Sequence, residues 1–410
     1  MAILLTLLLA PASLAVDYTT DDYDGADLAL VDGDRLGGVL TNVGTLTVPD
    51  GAVVTTTSTA VEVYALAIQV DGTLSADGAG EPGGLGGTTD PAAGEAGGGL
   101  GGGGGGGPGP CMHGGGGGGG GYGGVGGVGG HLDGPEFGWG LAGAAHGTDE
   151  IVLQDPGSGG GGGGGACAWL GAVGGAGGGS LFLVADSVTV TGSITAHGAD
   201  GLTVDDAEDD SGPGGGGSGG AIVIDTPILG GGGLLAADGG LGGEPGGPWA
   251  GGGGGGGGGR IVVSGDYGDL DYRASPGLQG RANHYEPDLW PLATRGEPGV
   301  IVVGVGGPAV TLTLGGACPG PVTIDATGFA AGSDYALLQA LGVGDAPIPG
   351  GPCEGTPTGL APVGLSILVR GRATIDGAVS LAPRLPRGAC DTKLQVIDLA
   401  TCRLSPVARF

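Results

Sequence analysis

The sequence predicts an all-β protein. It reads as a parallel β-solenoid (β-helix) bearing a layer of glycine-rich polyproline II loops, followed by a small disulfide-bonded β-sandwich. Three observations carry this. The apolar runs Leu181–Val184, Ile222–Ile224, Ile261–Val263 and Val300–Val303 each follow glycine directly or after one residue, and their starts lie 41, 39 and 39 residues apart. Long glycine runs fill the space between them, within a chain that has 111 glycines in 410 residues. Near Gly304 the poly-glycine stops, cysteines appear and the charges balance. Self-similarity at a fixed period marks a repeat architecture, in which one unit cannot bury its apolar face without a neighbour.

The first element is residues 1–15, where Ala2–Ala10 form an apolar stretch and Ser13-Leu14-Ala15 supply small residues at a cleavage position. This is the pattern of a secretory signal peptide, and it is shorter than the roughly 20 apolar residues that span a bilayer. Secretion or display at the cell surface is the expected location. No later stretch is a transmembrane candidate. Residues 16–35 are acidic and weakly patterned, an expected lead-in segment.

Residues 36–303 form the expected solenoid. Val39, Thr41 and Val43, then Thr45–Val48, Ala52–Val54 and Ala67–Val70, give strand signals separated by Pro-Asp-Gly and Asp-Gly turns. A second signature follows the first three apolar runs: Ser193–Gly198, Leu234–Gly239 and, more loosely, Asp271–Gly277. An earlier copy, Thr73–Gly78, lies 120 residues before the Ser193 copy, three periods away. Two short strands per coil do not use up forty residues. The surplus is glycine and should emerge on one side of every coil.

The runs Gly101–Gly107, Gly114–Gly121, Gly159–Gly165 and Gly251–Gly259 are seven to nine residues long. As polyproline II they would span roughly 22 to 28 Å and, lacking Cβ atoms, approach one another closely enough to pair through their backbones. Ordering so much glycine is entropically expensive, so coils that clamp both ends of each run are what make the layer feasible. Tyr122, Trp139, Trp169 and Trp249 lie beside these runs as candidate ligand-facing aromatics. Covering the edges of the glycine layer is the stronger reading for them.

Residues 304–410 are the expected sandwich. Val310–Leu314, Val322–Ala326, Tyr335–Ala340, Leu365–Val369, Ala378–Leu381 and Leu394–Ile397 read as short strands between Gly/Pro turns. All six cysteines are disulfide candidates in an exported chain: Cys318, Cys353, Cys390 and Cys402 in this region, Cys111 and Cys167 in glycine-rich loops. Two bridges in the tail and one between loops is the simplest accounting, and the tail cysteines allow three connectivities.

The net charge is −30, and the last 111 residues contribute none of it, leaving 35 acids against five arginines in residues 1–299. That field disfavours nucleic acid and anionic membranes as partners. The phosphate-loop motif is excluded because the only lysine, Lys393, precedes Leu394. Asp205, Asp206, Glu208, Asp209 and Asp210 concentrate carboxylates that suit Ca2+, but they lack the spacing of an EF-hand or a β-roll, so a solvated acidic loop is the stronger reading and no cofactor is expected. Cys111-Met112-His113 has no second pair to complete a metal site.

At this point the tail motifs Ala317–Ile324, Gly351–Thr356, Leu385–Cys390 and Leu394–Cys402 resemble a C-terminal domain that recurs in exported proteins of myxobacteria and related bacteria. The upstream part is similar to glycine-rich secreted proteins of the same group, and its tracts resemble the polyproline II bundles of glycine-rich antifreeze proteins and phage tail-tip adhesins. The resemblance implies export and a surface or matrix setting, and it brings no catalytic residues. The expected function is therefore that of a non-catalytic structural or adhesive protein, with a polysaccharide or a cell-surface component as partner.

Two rival readings have definite residues. A polysaccharide-active β-helix hydrolase needs paired carboxylates on strands, and Asp186 and Asp225 follow successive apolar runs. A lyase lacks its base, because residues 36–259 contain no Lys or Arg. Ice binding would need a sustained threonine array. Of the pairs Thr45/Thr47, Thr189/Thr191 and Thr311/Thr313, only Thr189/Thr191 lies in the phased repeats, and the equivalent place one coil on is Gly230–Gly232.

Overall fold

The computed structural model describes residues 15–409, apart from 90–91, 110–112, 132–137, 168, 205, 207–208, 248, 265–268, 282–291, 304–309, 317–318, 330–331, 343–345, 349–350, 354–357, 359, 375–376, 386–391, 401, 403 and 406. Among these residues there is no helix, and strands are the regular elements that the backbone pairing defines.

The acidic lead-in forms the first coil, as β1 (Asp17–Tyr18), β2 (Asp21–Asp22) and β3 (Leu28–Ala29), all parallel to β4 (Arg35–Val48). Next comes β5 (Val53–Val70), then β6 (Thr73–Ser75) with β7 (Ser180–Val190), then β8 (Ser193–Thr195), β9 (Ala221–Asp225) and β10 (Leu229–Gly230). The last coils are β11 (Leu234–Ala236), β12 (Arg260–Val263), β13 (Asp271–Arg273) and β14 (Val300–Val303). Together these form one 14-stranded sheet whose neighbours are all parallel.

The register resolves the sheet into three ladders. Leu40, Val63, Leu183, Ile224, Val263 and Val303 stack in the first. Val54, Leu74, Ile194, Leu235 and Tyr272 stack in the second. Leu28, Leu46, Ile68, Val188 and Leu229 stack in the third. All but Val303 belong to a single core or pack on it. Alternation along each strand sends every second side chain inward, so β-branched and leucine residues in register fill the solenoid as continuous columns.

Two sequence expectations change. The early coils have three strand positions where two were expected. The Thr73 copy is also not three coils from the Ser193 copy, because Thr73, Leu74 and Ser75 pair directly with Ser193, Ile194 and Thr195. The whole of 76–179 is one excursion from a single coil. Coils that lack an excursion repeat after 20 residues, as in Arg35↔Thr55 and Val53↔Thr73, so the forty-residue period is a short coil plus its glycine loop.

The tail is a sandwich of two antiparallel sheets. β15 (Thr311–Gly316), β16 (Gly320–Thr327), β19 (Ala378–Leu381) and β20 (Arg384–Leu385) form one, and β17 (Asp334–Ala340), β18 (Ser366–Arg372), β21 (Lys393–Asp398) and β22 (Ala408–Arg409) form the other. Val322 and Ile324 of one sheet meet Tyr335, Leu337 and Val396 of the other in a shared core. Cys353 is bonded to Cys402, which ties the segment after β17 to the turn after β21. Cys167 is also disulfide-bonded, while Cys111, Cys318 and Cys390 lie outside the described residues.

Candidate functional site

The excursions leave the solenoid where the second ladder ends and return where the first begins. Outside it they form a bundle of extended tracts joined by backbone hydrogen bonds. Residues 114–121 are the clearest case. Their N–H groups donate in a strict rotation of three: Gly114, Gly117 and Gly120 to Asp210, Pro213 and Gly216; Gly115, Gly118 and Gly121 to Gly107, Gly104 and Gly101; Gly116 and Gly119 to Gly130 and Gly127. These bonds are 2.8–3.0 Å long. Three further tracts donate to the carbonyls, for example Gly161 to Gly118, Gly143 to Gly119 and Gly254 to Gly117. Three residues per turn is the polyproline II repeat, and none of these glycines has a left-handed φ.

Hydrogen-bonded adjacency orders the tracts as a triangular lattice of four rows. One outer row is 196–204, 237–244 and 274–280; next come 171–179, 210–220, 251–259 and 293–299; then 80–87, 157–165, 114–121 and 124–130; the other outer row is 92–98, 101–107 and 138–144. Four tracts have six neighbours each: 114–121, 157–165, 210–220 and 251–259. Three of them, 114–121, 157–165 and 251–259, hold glycine runs of seven to nine residues; the other run of that length, 101–107, lies on the outer row next to them. The reason is steric. A Cβ on Gly118 would sit 2.0 Å from the Leu141 oxygen, one on Gly161 2.1 Å from the Gly104 oxygen, and one on Gly254 2.2 Å from the Gly127 oxygen. Glycine is required there because a neighbouring backbone occupies the side-chain position.

Rim tracts have neighbours on one side only and carry side chains on the other. Leu85, Leu100, Leu141, Leu170, Leu202, Leu241 and Leu278 all project into solvent, Leu100 at 79% and Leu141 at 66% exposure. On the row 196–204, 237–244 and 274–280, polar side chains tie adjacent tracts together. Asp238 accepts from the Ser275 N–H and the Arg273 guanidinium, and Asp200 accepts from the Leu241 N–H.

The sequence-nominated aromatics fall at the ends of tracts. Trp139 and Trp169 are half-buried, and Trp249 is 43% exposed with its ring edge-on to His113. Tyr122 is completely buried, its ring against His146, and it offers no face to a ligand. Burial drives its phenol well above the ordinary tyrosine value. Beside it Arg260, the first base after Arg35, donates to the His146 carbonyl and to Asp149, and so pins the 144–157 loop over the solenoid.

The acidic loop is used internally. Asp210 accepts from the Trp249 N–H, and Asp209 accepts from the Ser211 N–H. Asp205 and Glu208 lie outside the described residues. Among the described residues no three His, Cys, Asp or Glu side chains gather as a metal site. The threonine ladder breaks where the spacing indicated: Thr189 faces Gln69 on one side and Gly230 on the other.

A groove of about 640 Å3 runs across the outer corner between the first and third ladders. Asn42 of β4, Tyr64 and Leu66 of β5, Asp186 of β7 and Asp225 of β9 line it, with Phe329 of the tail at its margin. Asp225 is in register with Val184, and Asp186 lies two residues further along β7. Both face outward, because Leu183 and Ile224 between them point into the core. Strand geometry puts their Cα atoms roughly 8 Å apart. Burial raises the Asp186 carboxyl above the usual aspartate value, Asp398 adds to the shift and Arg372 opposes it. Tyr64 donates to Glu62 and packs edge-on against Phe182. The sequence pointed to the two aspartates but not to Tyr64 or Leu66; the signal available was two large apolar residues at outward positions of an alternating strand.

No protein-family model, curated protein or solved structure matches the chain. Among the described residues no helix is long and apolar enough to cross a membrane.

Proposed function

We propose that this chain is an exported structural or adhesive protein of the myxobacterial glycine-rich type, presenting a rigid face to a polysaccharide or another cell-surface component. One observation carries the reading. Interior tracts such as 114–121 bond to six neighbours through backbone alone, so the rim side chains are held on a fixed lattice. Contacts made by pre-positioned side chains avoid much of the ordering cost of binding. Leu100, Leu141 and Leu241 are the expected points of contact.

The test is a glycan and cell-envelope array probed with the mature chain and with a variant carrying Leu141→Glu and Leu241→Glu. Binding by the first and a loss of tenfold or more in the second supports display. Absence of binding by both leaves only a scaffolding role.

Asp186 and Asp225 in one groove favour a second reading, a polysaccharide hydrolase with a general acid and a general base. It predicts release of reducing ends that Asp186→Asn and Asp225→Asn each abolish. Equal release by wild type and both variants removes it.

A further inference from the structure

We propose that the corner groove binds an extended stretch of uncharged polysaccharide, lying along the solenoid axis with one sugar unit per coil. The inference goes beyond the bundle display reading, since it names a second surface formed by different residues.

Three observations converge on it. The groove crosses successive coils, because Asn42, Tyr64, Asp186 and Asp225 come from β4, β5, β7 and β9, which are consecutive neighbours in one ladder. Parallel strands are about 4.8 Å apart, a repeat close to that of sugar units along an extended chain. The lining is mixed in the way a sugar is mixed. Leu66 and Tyr64 offer apolar surface for ring faces, and Asn42, Asp186 and Asp225 offer hydrogen-bonding groups for hydroxyl edges. Charge selects among polymers. Two groove carboxylates on a chain of net charge −30 repel uronate-rich or sulfated chains and leave neutral ones as the complementary class. Leu66 is 57% exposed, which leaves apolar area for such a chain to cover.

Affinity electrophoresis of the mature chain in gels containing dextran, xylan, galactomannan or a mixed-linkage β-glucan tests it, with polygalacturonate as the anionic comparison. The expected result is retardation by at least one uncharged polymer and none by polygalacturonate. With oligosaccharides of the retarding polymer, affinity should rise with length up to about four or five units and then level off, set by the coil count and spacing. Leu66→Glu, at an exposed position, should weaken binding at least tenfold while leaving the melting temperature within a degree or two. No retardation by any uncharged polymer, or equal retardation by polygalacturonate, overturns the inference. So does binding that Leu66→Glu leaves unchanged. If binding is instead lost in the Leu141→Glu, Leu241→Glu variant, the groove is excluded and the display reading stands.

Discussion

At the scale of single residues, the glycines divide by what surrounds them. Gly118 has the Leu141 oxygen 2.0 Å from where a Cβ would go, whereas Gly230 has nothing within 4 Å and no left-handed φ. Gly118→Ala should cost about 1–3 kcal/mol or more by overpacking. Gly230→Ala should fall within about 0.5 kcal/mol of wild type, or stabilise slightly through the unfolded chain. Thermal melts of the two variants check this, and equal effects would mean that the lattice contacts do not constrain the chain. Asp186 gives a pH-dependent expectation. Its folded value is raised by burial, so the folded state holds the proton more tightly and stability falls as pH rises through that value. Asp186→Asn should therefore raise the melting temperature at neutral pH, and the advantage should vanish below the ordinary aspartate value of 3.8. The two aspartates were legible because each stands one or two residues beyond the end of an apolar run. Which groove they share was not, because no glycine run precedes Tyr64 and Leu66 to mark their phase.

At the scale of elements, the strands were legible where β-branched residues alternate between turns. β15, β16, β17, β19 and β21 fall within two residues of their expected bounds in the tail, and β18 runs three residues past its expected end. Long-range order was less legible. Val300, aligned by spacing with Ile261, pairs with Arg260, one residue out of register. The interval between Thr73 and Ser193 is a multiple of the period, yet it spans a single coil. A backbone lattice has no side-chain code, so glycine runs mark tracts as members of the bundle without revealing their neighbours. The Cys353–Cys402 bridge closes a loop at a sequence separation of 49. Loop-closure entropy for that length is worth about 4 kcal/mol. Cys353→Ser should lower the unfolding midpoint of the tail and leave the core strands of the solenoid protected, as read by denaturant titration followed with hydrogen exchange.

At the scale of the whole molecule, the solenoid and the bundle depend on each other. Fixing one backbone residue costs about 1–2 kcal/mol, and one net hydrogen bond returns about 0.5–1.5 kcal/mol, so a free sheaf of glycine tracts would sit near balance or below it. Stacked coils shift that balance by holding both ends of each excursion in register, as where the Ala221 N–H donates to the Gly179 carbonyl and the Arg260 N–H to the Gly220 carbonyl at the re-entry points. Surplus negative charge in residues 1–299 surrounds this part of the molecule with a field that opposes anionic partners. Amide hydrogen exchange across 114–121 and 251–259 tests the molecule most directly. Protection approaching that of β7 and β9 is expected if the bundle is a hydrogen-bonded solid. Exchange at the rate of an open chain in those tracts, with the solenoid strands still protected, would contradict it.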